Sequence, residues 1–305
     1  VKIFRGFSDP TLKRARRSVA IGVFDGVHRG HKRILEDAVR RARRRGLRST
    51  VVTFDPHPSR VLGGKKDAAI LSLPHRLRFF EALGLDEALV VRFNRRFAGA
   101  TRERFLEKTL VARLGMRSLS VGPDFRFGKK GAGDVRYLAA RADGLGFDLS
   151  LVAPLEAGGK RVSSTRIRKL IEKGELREAA RLLGRPVSLY GNVVHGRGRG
   201  RRVGFPTANV NPHHEALPPA GVYAVWGLVG ERKLKGVLHV GERPTFGDRE
   251  PSVEAHFPGF RGNLYSRNVE IVFAGYIREL HRFENALELA NQIRKDIRKS
   301  LKILK

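Results

Sequence analysis

His28 and His31 stand three residues apart in the run Gly22-Val23-Phe24-Asp25-Gly26-Val27-His28-Arg29-Gly30-His31, after an apolar stretch and at the start of a helical pattern. Glycines at 22, 26 and 30 let backbone approach a nucleotide, the helix amino terminus offers unbonded N–H groups, and two imidazoles at this spacing can face one anion. Imidazoles aimed at a phosphorus under attack stabilise the charge it gains without any covalent intermediate. Gly22, Phe24, Asp25, Gly30 and the two histidines are therefore candidates for holding a nucleotide. Such a pair is otherwise a surface or capping feature; the glycines, Asp25 and the strand-to-helix setting favour phosphate chemistry.

Val162-Ser163-Ser164-Thr165-Arg166 supplies hydroxyls, a helix start and a guanidinium, the parts of a phosphate clamp. By itself the same segment reads as a helix cap. Thr53-Phe54-Asp55-Pro56-His57-Pro58 and Val121-Gly122-Pro123-Asp124-Phe125-Arg126-Phe127-Gly128 each follow an expected strand, where ligand loops of open α/β sheets gather. Phe54, Pro56, His57 and Phe127 offer faces for a planar ring, and Asp124 an acceptor for its polar edge. The alternative for each phenylalanine is a place in the core.

In the second half, His195-Gly196-Arg197-Gly198-Arg199-Gly200-Arg201-Arg202 runs into Val203-Gly204-Phe205-Pro206-Thr207-Ala208-Asn209. The glycine–arginine repeat resembles RNA-binding low-complexity sequence, but it leads straight into an apolar strand, which favours a nucleotide lid through Gly198, Gly200 and Arg201. Thr207 and Asn209 alternate along a strand and point the same way, so both oxygens reach one hard cation.

The elements that must position these residues fall into two halves of the 305-residue chain, a length suited to two domains. Short apolar runs at Ser18 to Val23, Ser49 to Phe54, Ala88 to Val91, Ser118 to Gly122 and Leu149 to Ala153 alternate with helical periodicity, predicting a Rossmann-like parallel sheet wrapped by helices. Between the first two, Ile34, Leu35, Ala38, Val39 and Ala42 mark a helix whose arginines at 40, 41, 43 and 44 form a solvated face. Two short helices follow, over Arg166 to Lys173 and about Glu175 to Leu183. After Gly184 the texture changes to strand-like runs at Val187 to Val194, Val222 to Val229, Lys235 to Val240, Val253 to Phe257 and Val269 to Phe273, predicting a small antiparallel barrel. Phe283, Leu287, Ala290, Ile293, Ile297 and Leu301 mark a terminal helix able to cover it. Domains are thus expected at 1–184 and 185–305.

Composition narrows the classes further. The chain has no cysteine, which removes disulfides, cysteine-ligated zinc and thiol nucleophiles. No stretch has the apolar length of a signal peptide or a membrane span, so a soluble cytoplasmic protein without membrane partners is expected. The net charge is +31, an excess that attracts phosphorylated ligands or nucleic acid.

Taken in order, the motifs resemble a known family. The histidine run resembles the HxGH signature of nucleotidyltransferases, and Val162 to Arg168 their second phosphate loop. With Pro206-Thr207-Ala208-Asn209, Gly221-Val222-Tyr223-Ala224, Gly241-Glu242-Arg243-Pro244-Thr245-Phe246, Val253-Glu254-Ala255-His256 and Asn263-Leu264-Tyr265, the chain resembles the prokaryotic bifunctional riboflavin kinase/FAD synthetase family from about Ser18 to Lys299. The resemblance implies that the carboxyl-terminal barrel binds ATP and Mg2+ through Thr207 and Asn209, with Glu254 as base for the ribityl hydroxyl and Arg243 near the flavin. It implies that His28, His31, Ser164, Thr165 and Arg166 hold a second ATP while FMN attacks it. The expected partners are riboflavin, FMN, FAD, ATP, ADP and pyrophosphate, with no tightly bound prosthetic group and no specific nucleic acid beyond adventitious RNA; no oligomeric state is read. Val23, His239, Glu242 and Ser266 depart from the usual residues of the family. Two other readings stay open: a chain active only as riboflavin kinase, and a basic nucleic-acid-binding protein.

Overall fold

The computed structural model describes residues 1–63, 68–195, 200, 204–213, 215–242 and 251–305. They form two compact units, Val1–Asp67 with Leu73–Ser164, and Ala68–Ser72 with Thr165–Lys305.

The first unit is built on six parallel strands, β1 (Lys2–Phe4), β2 (Arg17–Ile21), β3 (Arg48–Asp55), β4 (Glu87–Arg92), β5 (Met116–Val121) and β6 (Asp148–Leu151), in the order β1-β4-β3-β2-β5-β6. Five match the expected runs, and β1, three residues at the sheet edge, is too short to show alternation. Helix α1 (Arg29–Arg45) connects β2 to β3 and buries Leu35, Ala38, Val39 and Ala42. It ends at Gly46, which adopts the left-handed conformation at φ 60°. Its arginines stay outside, with Arg40 and Arg41 paired to Asp37. Helices α2 (Pro58–Val61), α3 (Leu73–Ala82), α4 (Arg95–Ala98) and α5 (Val135–Leu145), with a π-helical segment at Arg104–Arg113, complete the wrapping. The core includes Phe4, Val19, Val52, Leu89, Leu106, Leu119 and Leu138. Across β2, β3 and β4 lies a buried charge pair: Arg17 Nε donates to Glu87 at 2.6 Å, and Thr50 Oγ1 donates to the same carboxylate at 2.9 Å. A small hairpin, β7 (Glu156–Ala157) with β8 (Lys160–Arg161), follows β6.

The second unit holds α6 (Ser164–Glu172), which begins at the division between the units, α7 (Leu176–Leu183) and a closed antiparallel barrel. Its strands are β9 (Ser188–Val194), β10 (Ala208–Asn211), β11 (Gly221–Val229), β12 (Arg232–Glu242), β13 (Pro251–His256) and β14 (Asn268–Arg278), in the order β10-β13-β12-β11-β14-β9. The compact units therefore divide at 164/165, before α6 and α7, whereas the texture of the sequence changes at 184/185.

Helix α8 (Ala286–Ile303) covers the outside of the barrel with a face rotated from the one expected, which keeps Ala290 buried and Ile293 and Ile297 half-buried. Leu287 is 69% exposed and Leu301 37%, while Ala290, Asp296 and Ser300 are buried. The reason is polar: Asp296 accepts from Arg278 Nη2 at 2.7 Å and from its Nε at 2.9 Å, and Ser300 Oγ donates to the Gly236 carbonyl at 2.8 Å. Two strand groups thus fix the rotation of the helix, against the count of apolar side chains. Among the described residues, no helix is long and apolar enough to cross a membrane.

Candidate functional sites in the two units

In the first unit, β2 ends at Ile21 and the chain turns sharply before α1. Phe24 and Val27 take positive φ, 53° and 38°, which is strained for a side chain branched at Cβ such as valine. The turn delivers His28 as the cap of α1: its Nδ1 accepts from the His31 backbone N–H at 3.2 Å. The two imidazoles stack with centroids 3.6 Å apart and planes 19° from parallel. Glycine at position 30 permits this, since a methyl there would lie 3.2 Å from His28 Cε1. Phe24, largely buried, supports His31 edge-on at 5.3 Å and packs on Phe80.

Burial of the ring, followed by the charges of His28, Arg161 and Arg76, holds the His31 imidazole well below its ordinary value of 6.5. Its Nδ1 is buried without a hydrogen-bond partner among the described residues. A neutral imidazole can still donate one hydrogen bond to a phosphoryl oxygen. Asp25 is buried, and its carbonyl accepts from Ser164 Oγ at 2.8 Å, so this one serine of the second motif is tied to the first within the same unit. Arg166, expected beside it, pairs with Glu178 at 3.4 Å, and Thr165 follows Ser164 in the first turn of α6.

The sequence reading missed Arg76. This buried guanidinium on α3 donates to the Val23 carbonyl at 2.6 Å, to Thr53 Oγ1 at 2.9 Å and to the Phe54 carbonyl at 3.3 Å. Burial lowers its pKa while Asp25 and Asp55 raise it. It locks the turn after β2 to the end of β3. A lone arginine in a helix carries no local signal of such a role.

At the carboxyl ends of the strands lies a cavity of about 650 Å³, walled by Gly22, Val23, Phe54, Phe93, Phe97 and Phe125 among others. Phe54 and Phe127 line it as the sequence suggested. Phe93 packs on Phe54 at 5.7 Å, and Phe125 stacks on Phe127 at 5.6 Å, enlarging the aromatic wall. Asp124 lines the rim and pairs with Arg161. His57 caps α2, accepting from Ser59 N at 3.2 Å, and Pro56 lines a neighbouring cavity. Val23, one of the departures from the usual residues, lines the aromatic cavity.

In the second unit, β10 begins at Ala208, two residues into the PTAN motif, so Thr207 lies just before the strand and not within it. Asn209 sits directly opposite Glu254 on the β10–β13 ladder, and Thr207 Oγ1 donates to Glu254 Oε2 at 3.3 Å. On its other side, Glu254 is opposite His239 of β12, so the departure at 239 places an imidazole across from this carboxylate. Gly200 closes on the same place: its carbonyl accepts from Phe205 N at 2.8 Å, and a Cβ there would lie 2.4 Å from the Phe205 oxygen and 3.2 Å from Thr207 Oγ1. Gly198, Arg201 and Arg243 lie outside the described residues. An adjoining cavity of about 290 Å³ is lined by Val193, Thr207, Ala208, Phe260, Asn263 and Tyr265, among others. His195 stacks on Tyr265 at 4.0 Å. Ser266, beside that wall, holds φ 61°, the left-handed backbone that glycine adopts without strain.

A parallel α/β unit with a histidine-capped phosphate turn, joined to a closed barrel with a carboxylate among oxygen donors, defines a two-module nucleotide-using transferase. Known proteins agree over nearly the whole chain. A family model for FAD synthetase matches residues 11–166, and one for riboflavin kinase matches residues 183–304. The chain is 40% identical over 301 residues to a bifunctional riboflavin kinase/FMN adenylyltransferase of Escherichia coli K12, covering 97% of this chain and 96% of that protein. It is 35% identical to one from Bacillus subtilis strain 168, covering 95% and 93%. Among solved structures, one titled a macrolide-efflux protein from Streptococcus pneumoniae superposes with a TM-score of 0.82 at 29% identity, covering 96% of each chain. The chain belongs to the bifunctional riboflavin kinase/FMN adenylyltransferase family.

Proposed function

We infer that this chain phosphorylates riboflavin to FMN with ATP, and then adenylylates FMN to FAD with release of pyrophosphate. The observation that carries the reading is the presence of two separate constellations, a stacked histidine pair at a helix amino terminus and a carboxylate flanked by Thr207 and Asn209.

In the kinase step, Glu254 takes the proton of the ribityl 5′-hydroxyl, the oxygen attacks the γ-phosphorus of ATP, and ADP leaves. A sugar hydroxyl needs that base because it must lose its proton on attack. Thr207, Asn209 and Glu254 bring hard oxygens to one face of the β10–β13 ladder, a donor set that suits Mg2+. Held by these oxygens together with the nucleotide, Mg2+ would supply neutralisation of phosphate charge. Thr207 holds the Glu254 carboxylate in place. Gly198, Gly200 and Arg201 are assigned to binding the nucleotide and Arg243 to binding the flavin, as the family resemblance implies.

In the second step, the FMN phosphate is already an anion and attacks the α-phosphorus without a base. His28 and His31 donate to the charge gathering on that phosphate, with the helix amino terminus adding N–H groups. Ser164 holds the departing phosphates, and Thr165 and Arg166, the next residues of the chain, complete that motif. Gly22, Phe24, Asp25 and Gly30 shape the turn. Phe54, Phe127 and Asp124 take the isoalloxazine ring, with Pro56 and His57 at the following bend. The functional division at 184/185 and a cytoplasmic setting belong to the same proposal.

Flavins separated by chromatography after incubation with riboflavin, ATP and Mg2+, and in parallel with FMN, ATP and Mg2+, test it. FMN followed by FAD is expected. FMN alone in the first tube, with FMN unchanged in the second, leaves only the kinase. No product from folded protein in either tube overturns the assignment.

A further inference from the structure

Beside the aromatic cavity of the first unit lies a larger one, about 910 Å³, at the carboxyl ends of β1, β3 and β4. Arg5, Arg92, Arg95, Arg96, Arg104 and Arg113 line it, and the acidic residue in its wall is Asp55. None of the six makes an ion pair with a described carboxylate. Other arginines of the chain do find carboxylates: Arg17 with Glu87, Arg41 with Asp37, Arg181 with Glu178 and Arg278 with Asp296. Neither the kinase nor the adenylylation chemistry uses these six residues as derived above.

Like charges around one concavity repel, and a concave wall focuses their field on whatever enters. Guanidinium groups also present paired donors that match phosphate oxygens better than any other side chain. They come from four separate places, the loop after β1, the end of β4, helix α4 and the π-helical segment, so the positive wall is assembled by the fold and not by one stretch of sequence. The cavity further shares Arg95, Phe97, Gly99, Ala100 and Phe105 with the aromatic cavity. Occupancy of one is therefore felt in the wall of the other.

We propose that this cavity is a third phosphate site, which binds the polyphosphate group of a small molecule outside both catalytic centres. The ligand class is a compound with two or more linked phosphates, inorganic or carried by a nucleoside. Six guanidinium groups around an open cavity suit a small, highly charged ligand that exchanges readily.

The test is calorimetric titration of the full chain with inorganic tripolyphosphate in metal-free buffer, comparing wild type, Arg96→Ser/Arg113→Ser and His31→Ala. Both arginines of the double variant lie outside the aromatic cavity. Loss of one equivalent of binding, or a weakening of at least about tenfold in that class of site, is expected in the double variant alone. Its rate of FAD formation at saturating FMN and ATP should equal that of wild type, which also shows that it is folded. Should that variant unfold, Arg5→Ser/Arg104→Ser is titrated instead. Displacement of tripolyphosphate by ADP would place the site with nucleosides, and displacement only by pyrophosphate with inorganic ligands. Unchanged stoichiometry and affinity in the folded double variant would overturn the proposal. So would a variant that loses binding to a single-stranded oligoribonucleotide while keeping its tripolyphosphate site, which would mark a nucleic-acid surface.

Discussion

Ser164 Oγ donates to the backbone carbonyl of Asp25 at 2.8 Å, across 139 positions of sequence. This bond, within the first unit, ties Ser164 to the turn that presents His28. Ser164→Ala removes it and a proposed phosphate ligand together. A neutral hydrogen bond is worth about 0.5–1.5 kcal/mol, and one to a charged group up to about 3 kcal/mol. FMN-to-FAD turnover should therefore fall about tenfold to a hundredfold, with riboflavin phosphorylation unchanged. Separate assays of the two half-reactions on one preparation decide it.

The two catalytic centres predict reciprocal defects. Glu254→Ala is expected to abolish FMN formation, by at least about a hundredfold, while supplied FMN is still converted to FAD. His31→Ala should lower FAD formation about a hundredfold to a thousandfold and leave FMN formation intact. A single substitution that silences both reactions in folded protein would contradict separate centres.

Stability should carry the signature of His31. Because burial holds its folded pKa below 6.5, the unfolded chain takes up a proton before the folded one does. The resulting stability is present above pH 6.5 and is lost as pH falls from there through the lower folded value. His31→Gln cannot titrate and should flatten this dependence. Urea midpoints of both proteins between pH 5 and 8 measure the difference, and parallel curves would show that His31 does not contribute.

Glu87 is nearly inaccessible and receives both Arg17 and Thr50. Glu87→Ala leaves the Arg17 charge buried without its partner, which costs about 3–5 kcal/mol. Denaturant unfolding of the first unit should show that loss. Restoration by a paired Arg17→Met/Glu87→Leu change would separate the charge effect from packing.

Ser266 occupies left-handed backbone at φ 61°. A side chain there costs about 1–2 kcal/mol relative to glycine, partly offset by the greater freedom of glycine when unfolded. Ser266→Gly is expected to raise barrel stability by up to about 1 kcal/mol, read as a higher melting temperature. A lower one would show that the hydroxyl has a role of its own.

Much of the architecture was legible because local periodicity and chain order are written in the sequence. The apolar runs of β2 to β6, the helix after His28 and the barrel strands all follow from short-range patterning, as do the phosphate turn and the PTAN segment. The resemblance then located Glu254, whose own surroundings give no sign of a base. Where the sequence misled, polar partners far away in the chain were responsible. Counting apolar residues put Leu287 and Leu301 on the inner face of α8, but Arg278 and Gly236 rotate Asp296 and Ser300 inward instead.

Three features were decided only by tertiary structure. Arg76 becomes a lock because β2 and β3 bring Val23 and Thr53 to one place. The aromatic wall gains Phe93 and Phe97 because loops from different strands meet at one edge of the sheet. Six arginines from four segments surround one cavity, although nothing in their spacing groups them. Residue type and spacing determine which element forms and which chemistry a motif can support. What meets that motif depends on long-range packing, whose interactions are spread over residues with no common local pattern.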